Sequence, residues 1–155
     1  MRAHTRRLAE GISIVADAAR VMDATIEHGV ICTLQECALR ATAADGHEVS
    51  VRCLAKLVRY DTDTERGTLR ATSKGASGDV EIDVDFSAVR RDEDSAFDGA
   101  VSTGSRVCVI GEVRRVDEAS FEIRARVVCA MDGLDMRAYG KALDIRRKFL
   151  GEMPP

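Results

Sequence analysis

Apolar and polar residues alternate with a period of two in five segments between residues 49 and 131, as they do in strands with one buried face. The first segment is long, the next two are short, and a loop at 87–99 that could hold a helical turn precedes the last two. The positions predicted to face a common core are Val49, Val51, Cys53, Ala55, Leu57, Leu69, Ala71, Val80, Ile82, Val84, Phe86, Val107, Val109, Val113, Phe121, Ile123, Ala125, Val127 and Cys129.

The first strand is predicted to bend, because its two faces exchange polarity near residues 57–60, which indicates a bulge. Gly111 in the fourth strand indicates close approach of two backbones. A bent first strand, two short strands, a loop and two further strands are typical of a five-stranded Greek-key barrel of the OB type. We therefore predict an all-β fold with flanking helices and a barrel at residues 31–133. Residues 30–48 predict a short strand or turn, then a connection with a turn at Asp45-Gly46.

Two segments outside the barrel follow the 3.6-residue period of a helix. Residues 5–27 are predicted to form an amphipathic helix within an N-terminal extension of residues 1–30. This helix could pack on the barrel, pair with another helix as a coiled coil, or act as a mitochondrial presequence, although its acidic residues disfavour the last. Its apolar positions are Leu8, Ile12, Val15, Ala19, Met22 and Ile26.

The second helical segment belongs to a C-terminal region of residues 134–155. Asp135 is a suitable N-cap, and positive charges in the last turns suit the helix dipole. A terminal helix of this kind packs on its own sheet or binds a helix of another chain. Its apolar stripe is predicted to contain Tyr139, Ala142, Ile145 and Phe149, with Leu143 and Leu150 beside it.

Composition agrees with one domain, since 155 residues with 45% hydrophobic residues can bury a sizeable core. The net charge of −3 gives no overall basic signature for nucleic acid. No apolar run is long enough to span a membrane, and no membrane partner is expected. The five cysteines form no CxxC pair, which favours buried thiols in a reducing compartment over disulfides or metal ligands.

No catalytic site, metal site or cofactor is predicted. The three histidines, His4, His28 and His47, are scattered and lack the spacing of metal ligands. The serines at 102 and 105 have neither a base nearby in sequence nor a nucleophile-elbow pattern. The glycine-rich SKGASG run lacks the spacing of a P-loop. The sequence therefore disfavours an enzyme.

The outward faces of two strands carry opposite signals. Four carboxylates alternate on the third strand, Asp79, Glu81, Asp83 and Asp85. OB barrels usually bind nucleic acid on the outer face of strands two and three, and carboxylates there repel phosphates. This strand is thus more simply a solubilising edge, and strong DNA binding by the chain alone is disfavoured. The first strand instead presents a mixed apolar and basic stripe that requires cover, formed by Arg52, Leu54, Lys56 and Val58.

Several segments resemble the smallest (Ten-one) subunit of the telomeric CST complex, a heterotrimer of OB-fold proteins similar to replication protein A. The sharpest are the first-strand run VSVRCLAKLVRYD and the C-terminal run ARVVCAMDGLDMRAYGKALDIRRKFL, supported by RVCVIGEV and TLQECALRATAADGHE. The resemblance covers residues 33–150, whereas the N-terminal segment departs from the short N-terminus of the family.

The resemblance implies a function and a set of partners. The small subunit pairs with the N-terminal OB domain of the middle subunit, largely through C-terminal helices laid side by side. With the large subunit, the nuclear complex holds single-stranded G-rich telomeric DNA, protects chromosome ends and assists DNA polymerase α–primase in filling in the complementary strand.

The resemblance also implies contact residues. The family's first-strand arginine matches Arg52, and its late helical aromatic matches Phe149, where animal members carry tyrosine. The expected partner interface comprises Arg52, Leu54, Lys56, Tyr139, Ala142, Ile145, Arg146 and Phe149. Weaker DNA contacts are expected at Arg59, Arg114 and Arg115.

Two other non-catalytic functions stay open. The small subunit of replication protein A would have the same fold and the same pairing geometry. An independent OB-fold protein that binds nucleic acid, for instance in RNA processing, is disfavoured by the acidic third strand.

Overall fold

The computed structural model of the protein describes residues 29–71, 80–89 and 101–151, which contain six strands and two helices. The strands are β1 (Val30–Cys32), β2 (Val49–Asp61), β3 (Arg66–Arg70), β4 (Glu81–Asp85), β5 (Arg106–Arg115) and β6 (Phe121–Ala130). The helices are α1 (Leu34–Ala43) and α2 (Met136–Leu150). The predictions for the helix at 5–27, the SKGASG turn and most of the 87–99 loop fall outside the described residues.

Five of these strands close into a barrel, and β1 adds a sixth strand at its side. The strand order is β1, β2, β3, β4, β6, β5, and β5 pairs with β2 to close the ring. The β1–β2 and β4–β6 pairs are parallel, and the others are antiparallel. The arrangement confirms the five-stranded OB-type barrel with flanking helices.

β2 takes part in both halves of the barrel because it bends. Residues 49–56 pair with β5, and residues 56–61 pair with β3. The register with β3 shifts between Leu57 and Arg59, where the exchange of polarity predicts a bulge.

The barrel interior is filled by the alternating apolar positions of all five barrel strands. Among the largest fully buried side chains are Leu57, Leu69, Ile82, Phe86 and Ile123. The Phe86 ring meets the Tyr60 ring edge to face, with 5.6 Å between the ring centroids. This pair closes the core beneath the bend of β2.

The predicted alternation is wrong in the second half of β6. Val127 and Cys129 are exposed there, whereas Val128 is buried. The reason is a shift of register with β5 between Ile110 and Gly111, which leaves one residue of β6 without a partner. Because side chains alternate strictly, one extra residue moves every later side chain to the opposite face.

Gly111 lies at this shift, where a Cβ atom would clash with the backbone of Arg124 and Ala125 on β6. We expect Gly111→Ala to lower the free energy of unfolding by about 1–3 kcal/mol, as forced overpacking does. Urea denaturation measures the loss. Gly140 in α2 is the matched control, because nothing lies within 4 Å of an added Cβ there. Gly140→Ala should stabilise the chain by about 0.5–1 kcal/mol through helix propensity, and equal effects of the two changes would contradict the close approach.

α1 is a helix where the sequence analysis predicted a connection. Its N-cap is Thr33, whose hydroxyl accepts from the Glu36 N–H at 3.3 Å while the Glu36 carboxylate accepts from the Thr33 N–H at 2.6 Å. This reciprocal pair is a capping box, which the Thr-x-x-Glu spacing identifies in the sequence. The predicted turn follows, with φ of 49° at Asp45 and 90° at Gly46.

α2 begins and ends at recognisable caps. The Asp135 carboxylate accepts hydrogen bonds from the N–H groups of Arg137 and Ala138, as expected of an N-cap. The helix ends at Gly151, which adopts the left-handed conformation with φ of 65°. Neither helix in the described part of the chain is long and apolar enough to cross a membrane.

Candidate partner interface

α2 has two apolar faces with different surroundings, and none of its side chains is fully buried. The first face lies over the barrel and contains Met136, Tyr139, Gly140 and Leu143. The second points away from the barrel and is exposed, to 67% at Ile145 and 88% at Phe149. We call this second face the outer stripe, and it consists of Ala138, Ala142, Ile145 and Phe149. Ala142 lies at its border with the barrel side, since it also lines a cavity there. The stripe predicted from sequence is therefore divided, since Tyr139 turns toward the barrel.

A cavity of about 180 Å³ separates α2 from the outer face of the sheet. It brings together five of the eight expected interface residues, Arg52, Leu54, Tyr139, Ala142 and Arg146. Leu54 is buried here, so the chain's own C-terminal helix supplies the cover that this outward leucine requires. Of the remaining three, Lys56 is exposed on β2, and Ile145 and Phe149 belong to the outer stripe.

At this cavity a positively charged guanidinium lies next to uncharged, partly buried side chains. The Arg52 guanidinium donates a hydrogen bond to the Cys108 sulfur, which raises the pKa of Arg52. Burial raises the pKa of the Cys108 thiol and of the Tyr139 hydroxyl. At neutral pH, Arg52 is thus a cation beside an uncharged thiol and phenol, an environment that suits a carboxylate or carbonyl of a partner.

An exposed apolar surface next to this cavity was missed by the sequence analysis. In the sheet, Arg52 pairs with Ile110 and Ile110 with Val127, while Cys108 pairs with Cys129 in the next row. Directly opposed residues share a face, so Ile110, Val127 and Cys129 lie beside Arg52 on the outside. We call these three residues the outer sheet patch. It exists because the bulge turns Val127 and Cys129 outward.

One carboxylate ties the end of α2 to the start of α1. Glu36 Oε2 accepts from Arg147 Nη2 at 2.6 Å and also from the Thr33 N–H of the capping box. Both side chains are largely buried, at 16% exposure for Arg147 and 11% for Glu36. This shared carboxylate, here called the α2 anchor, fixes the position of the last turn of α2.

Arg147→Met should lower the free energy of unfolding by about 1.5 kcal/mol, the low end for a lost charge-assisted hydrogen bond. The loss stays modest because Glu36 keeps its capping-box bond. Chemical denaturation measures it, and Lys148→Met, at the next and exposed position, is the control. Identical denaturation midpoints for the two variants would show that the anchor does not hold the helix.

The opposite side of the barrel carries a shallow cleft of about 250 Å³ with mixed charge. It includes Arg59 and Arg66 but also the carboxylates of Asp61, Asp83 and Glu122. The nearly buried Glu122 is paired with Arg66 at 2.9 Å. Since the cations of this face are compensated by acids, the cleft offers little net attraction to phosphates.

The three arginines expected to be weak DNA contacts already have partners within the chain. Arg114 pairs with Glu122 at 2.6 Å, which raises the pKa of Arg114. Arg115 donates to the carbonyls of residues 117 and 118, and Arg59 donates to the Thr68 hydroxyl at 3.3 Å. Arg59 lines the cleft and Arg114 is paired with Glu122 in its wall, whereas Arg115 bonds to the turn between β5 and β6. Over the described residues, no group of histidines, cysteines and acids is arranged to hold a metal ion.

Comparison with known proteins decides the family. The model of a family described as "Telomere-capping, CST complex subunit" matches residues 25–153. The chain belongs to this telomere-capping CST subunit family. No curated protein sequence matches the chain.

Two solved structures share the fold of this CST-family chain. The telomere capping protein Ten1 from Saccharomyces pombe superposes with a TM-score of 0.51 at 14% identity, over 78% of this chain and 99% of Ten1. A chain of the S. pombe Stn1–Ten1 complex superposes with a TM-score of 0.50 at 12% identity, over 79% of this chain and 95% of that one. At these identities the likeness establishes the OB fold alone.

Proposed function

We propose that this chain is the small subunit of a CST-type complex and pairs with the middle OB-fold subunit through α2. The observation that carries the proposal is the outer stripe, an apolar helix face exposed along four positions in a chain of the telomere-capping family. Exposed apolar stripes of this kind are typical of protein interfaces. The solved Stn1–Ten1 complex shows that a protein of similar fold is found in a complex.

The interface we propose continues from the helix onto the sheet. The outer stripe supplies apolar anchors, the outer sheet patch extends the apolar surface, and Arg52 at the cavity mouth supplies a cation for a partner carboxylate or carbonyl. Aromatic and arginine residues are the side chains that most often dominate binding energy at interfaces. Phe149 and Arg52 are therefore the expected main contacts.

Single-stranded G-rich DNA is then held by the assembled complex, with the large subunit, and this chain contributes little by itself. This follows from the compensated cleft and from arginines that already have partners. In this proposal the chain acts without catalysis at chromosome ends in the nucleus, and its complex supports fill-in of the complementary strand by DNA polymerase α–primase.

Affinity capture from native nuclear extract, followed by mass spectrometry, tests the pairing. The bait is the full chain, compared with Ile145→Asp in the outer stripe and with Val116→Asp, an exposed valine in the β5–β6 turn, as the matched control. We expect the middle CST subunit with the wild-type chain and with Val116→Asp, and its loss with Ile145→Asp.

Capture of other proteins would support a different function for the chain. Recovery of replication protein A subunits in place of CST subunits would favour the small-subunit role in that general complex. A gel shift showing nanomolar binding of single-stranded DNA by the isolated chain would overturn the view that the chain needs a partner.

A further inference from the structure

Two thiols meet in the core at the start of α1. Cys32 ends β1 and Cys37 lies in the first turns of the helix, and their sulfur atoms are 3.2 Å apart. Both side chains are buried, with 3% and 0% exposure. This contact has no part in the proposed pairing surface.

The structure assigns Cys32 and Cys37 as an oxidation site, a dithiol that a small two-electron oxidant such as hydrogen peroxide converts into a disulfide. A disulfide requires its sulfurs at about 2.05 Å, so the observed contact needs a further approach of about one ångström.

The two sulfurs are chemically unequal, which sets the order of reaction. The hydrogen bond from Cys37 lowers the pKa of Cys32, while the same bond raises the pKa of Cys37 well above its usual value. Since the thiolate is the nucleophile, Cys32 is the first to react. Cys32 also lines a cavity of about 130 Å³ beneath α2, which is large enough to admit a molecule the size of water or peroxide.

The reaction balances with peroxide as the oxidant. The Cys32 thiolate attacks one peroxide oxygen, the O–O bond breaks, and the products are a sulfenic acid and a hydroxide that takes up a proton to become water. The Cys37 sulfur then attacks the Cys32 sulfur and displaces its hydroxyl, which leaves as a second water with the Cys37 proton. The two cysteines lose two electrons, and the peroxide gains them.

Oxidation at this position acts on the α2 anchor. Cys32 directly precedes Thr33 and Cys37 directly follows Glu36, so the new bond would span the capping box. As the two sulfur atoms approach each other, they displace the residues between them. These residues include Glu36, whose carboxylate accepts two hydrogen bonds of 2.6 Å. The disulfide therefore loosens the grip of Glu36 on Arg147 and with it the last turn of α2.

The test treats the isolated full chain with hydrogen peroxide, alkylates it under denaturing conditions and digests it with trypsin. Residues 21–40 form one tryptic peptide that contains Cys32, Cys37 and no other cysteine. We expect the mass of this peptide to be two hydrogens below that of the reduced peptide, with neither cysteine alkylated. The other three of the five cysteines should be alkylated. Dithiothreitol should restore both sites. Cys129→Ser, at an exposed thiol, should leave the result unchanged.

Two results would overturn the assignment. One is two alkyl groups on this peptide after peroxide treatment, and the other is a disulfide that joins it to the peptide of Cys53. Hydrogen exchange of the oxidised wild-type chain tests whether the disulfide loosens the α2 anchor. Faster exchange in the last turn of α2 is expected, and unchanged exchange there would refute the coupling to the anchor. Because no partner is present, failure of the proposed pairing would not affect any of these readings.

Discussion

Phe149→Ala is expected to weaken the proposed complex with the middle subunit by about 2 kcal/mol or more, roughly a 30-fold rise in Kd. The ring is 88% exposed in the isolated chain, so its removal costs almost no packing before binding. In the complex the same ring would be desolvated against a partner surface, and large aromatic anchors at such positions carry much of the binding energy. Titration calorimetry with the purified middle subunit measures the change.

Two measurements separate a lost anchor from a damaged fold. The thermal unfolding of Phe149→Ala alone should match that of the wild-type chain, because the side chain makes few contacts within the chain. Leu39→Ala is the control for affinity, since Leu39 is an apolar residue 53% exposed on the other helix. An unchanged Kd for Phe149→Ala would mean that the outer stripe is not where the partner binds.

Phe86→Ala is expected to lower the free energy of unfolding by about 3–5 kcal/mol, the usual cost of removing a buried phenylalanine ring. The side chain has no exposed surface, and it forms the edge-to-face contact with Tyr60. Its removal leaves a cavity at the position where β3 and β4 meet the bend of β2, and rigid strands cannot collapse to fill it. Urea denaturation followed by far-ultraviolet circular dichroism gives the value.

The same substitution at the two phenylalanines should thus have opposite consequences. Phe86→Ala lowers stability strongly, while at a temperature where it remains folded its affinity for the partner should equal that of the wild-type chain. A loss of only about 1 kcal/mol would place Phe86 among partly buried residues and contradict the core described above.

The barrel was predictable because period-two alternation holds over most of the length of its strands. The bend of β2 was visible too, since the polarity of its faces changes at the residues where the register shifts. α1 was missed because its ten residues are short for a clear helical period, although the capping box at Thr33 and Glu36 marked its start. The bulge of β6 was missed because alternation within one strand does not report which residues of the neighbouring strand are paired.

The candidate interface was predicted in part. The placement of Arg52, Leu54 and Tyr139 around one cavity follows from an outward strand stripe and a terminal helix that covers it. The direction of Tyr139 and the outer sheet patch depend on how α2 sits on the sheet and on the bulge, which no local pattern contains. The pairing of Arg114 with Glu122 joins two strands and likewise required the fold.

The register shift in β6 also bears on how relatives should be aligned with this chain. Arg126 is the residue that has no counterpart on β5, because its neighbours Ala125 and Val127 pair with consecutive β5 residues. In a homologue that lacks this one residue, every later side chain of the strand would face the same side of the sheet as its equivalent in this chain. Placing such a gap elsewhere in the segment would exchange interior for exterior positions and align the exposed Val127 with a core residue.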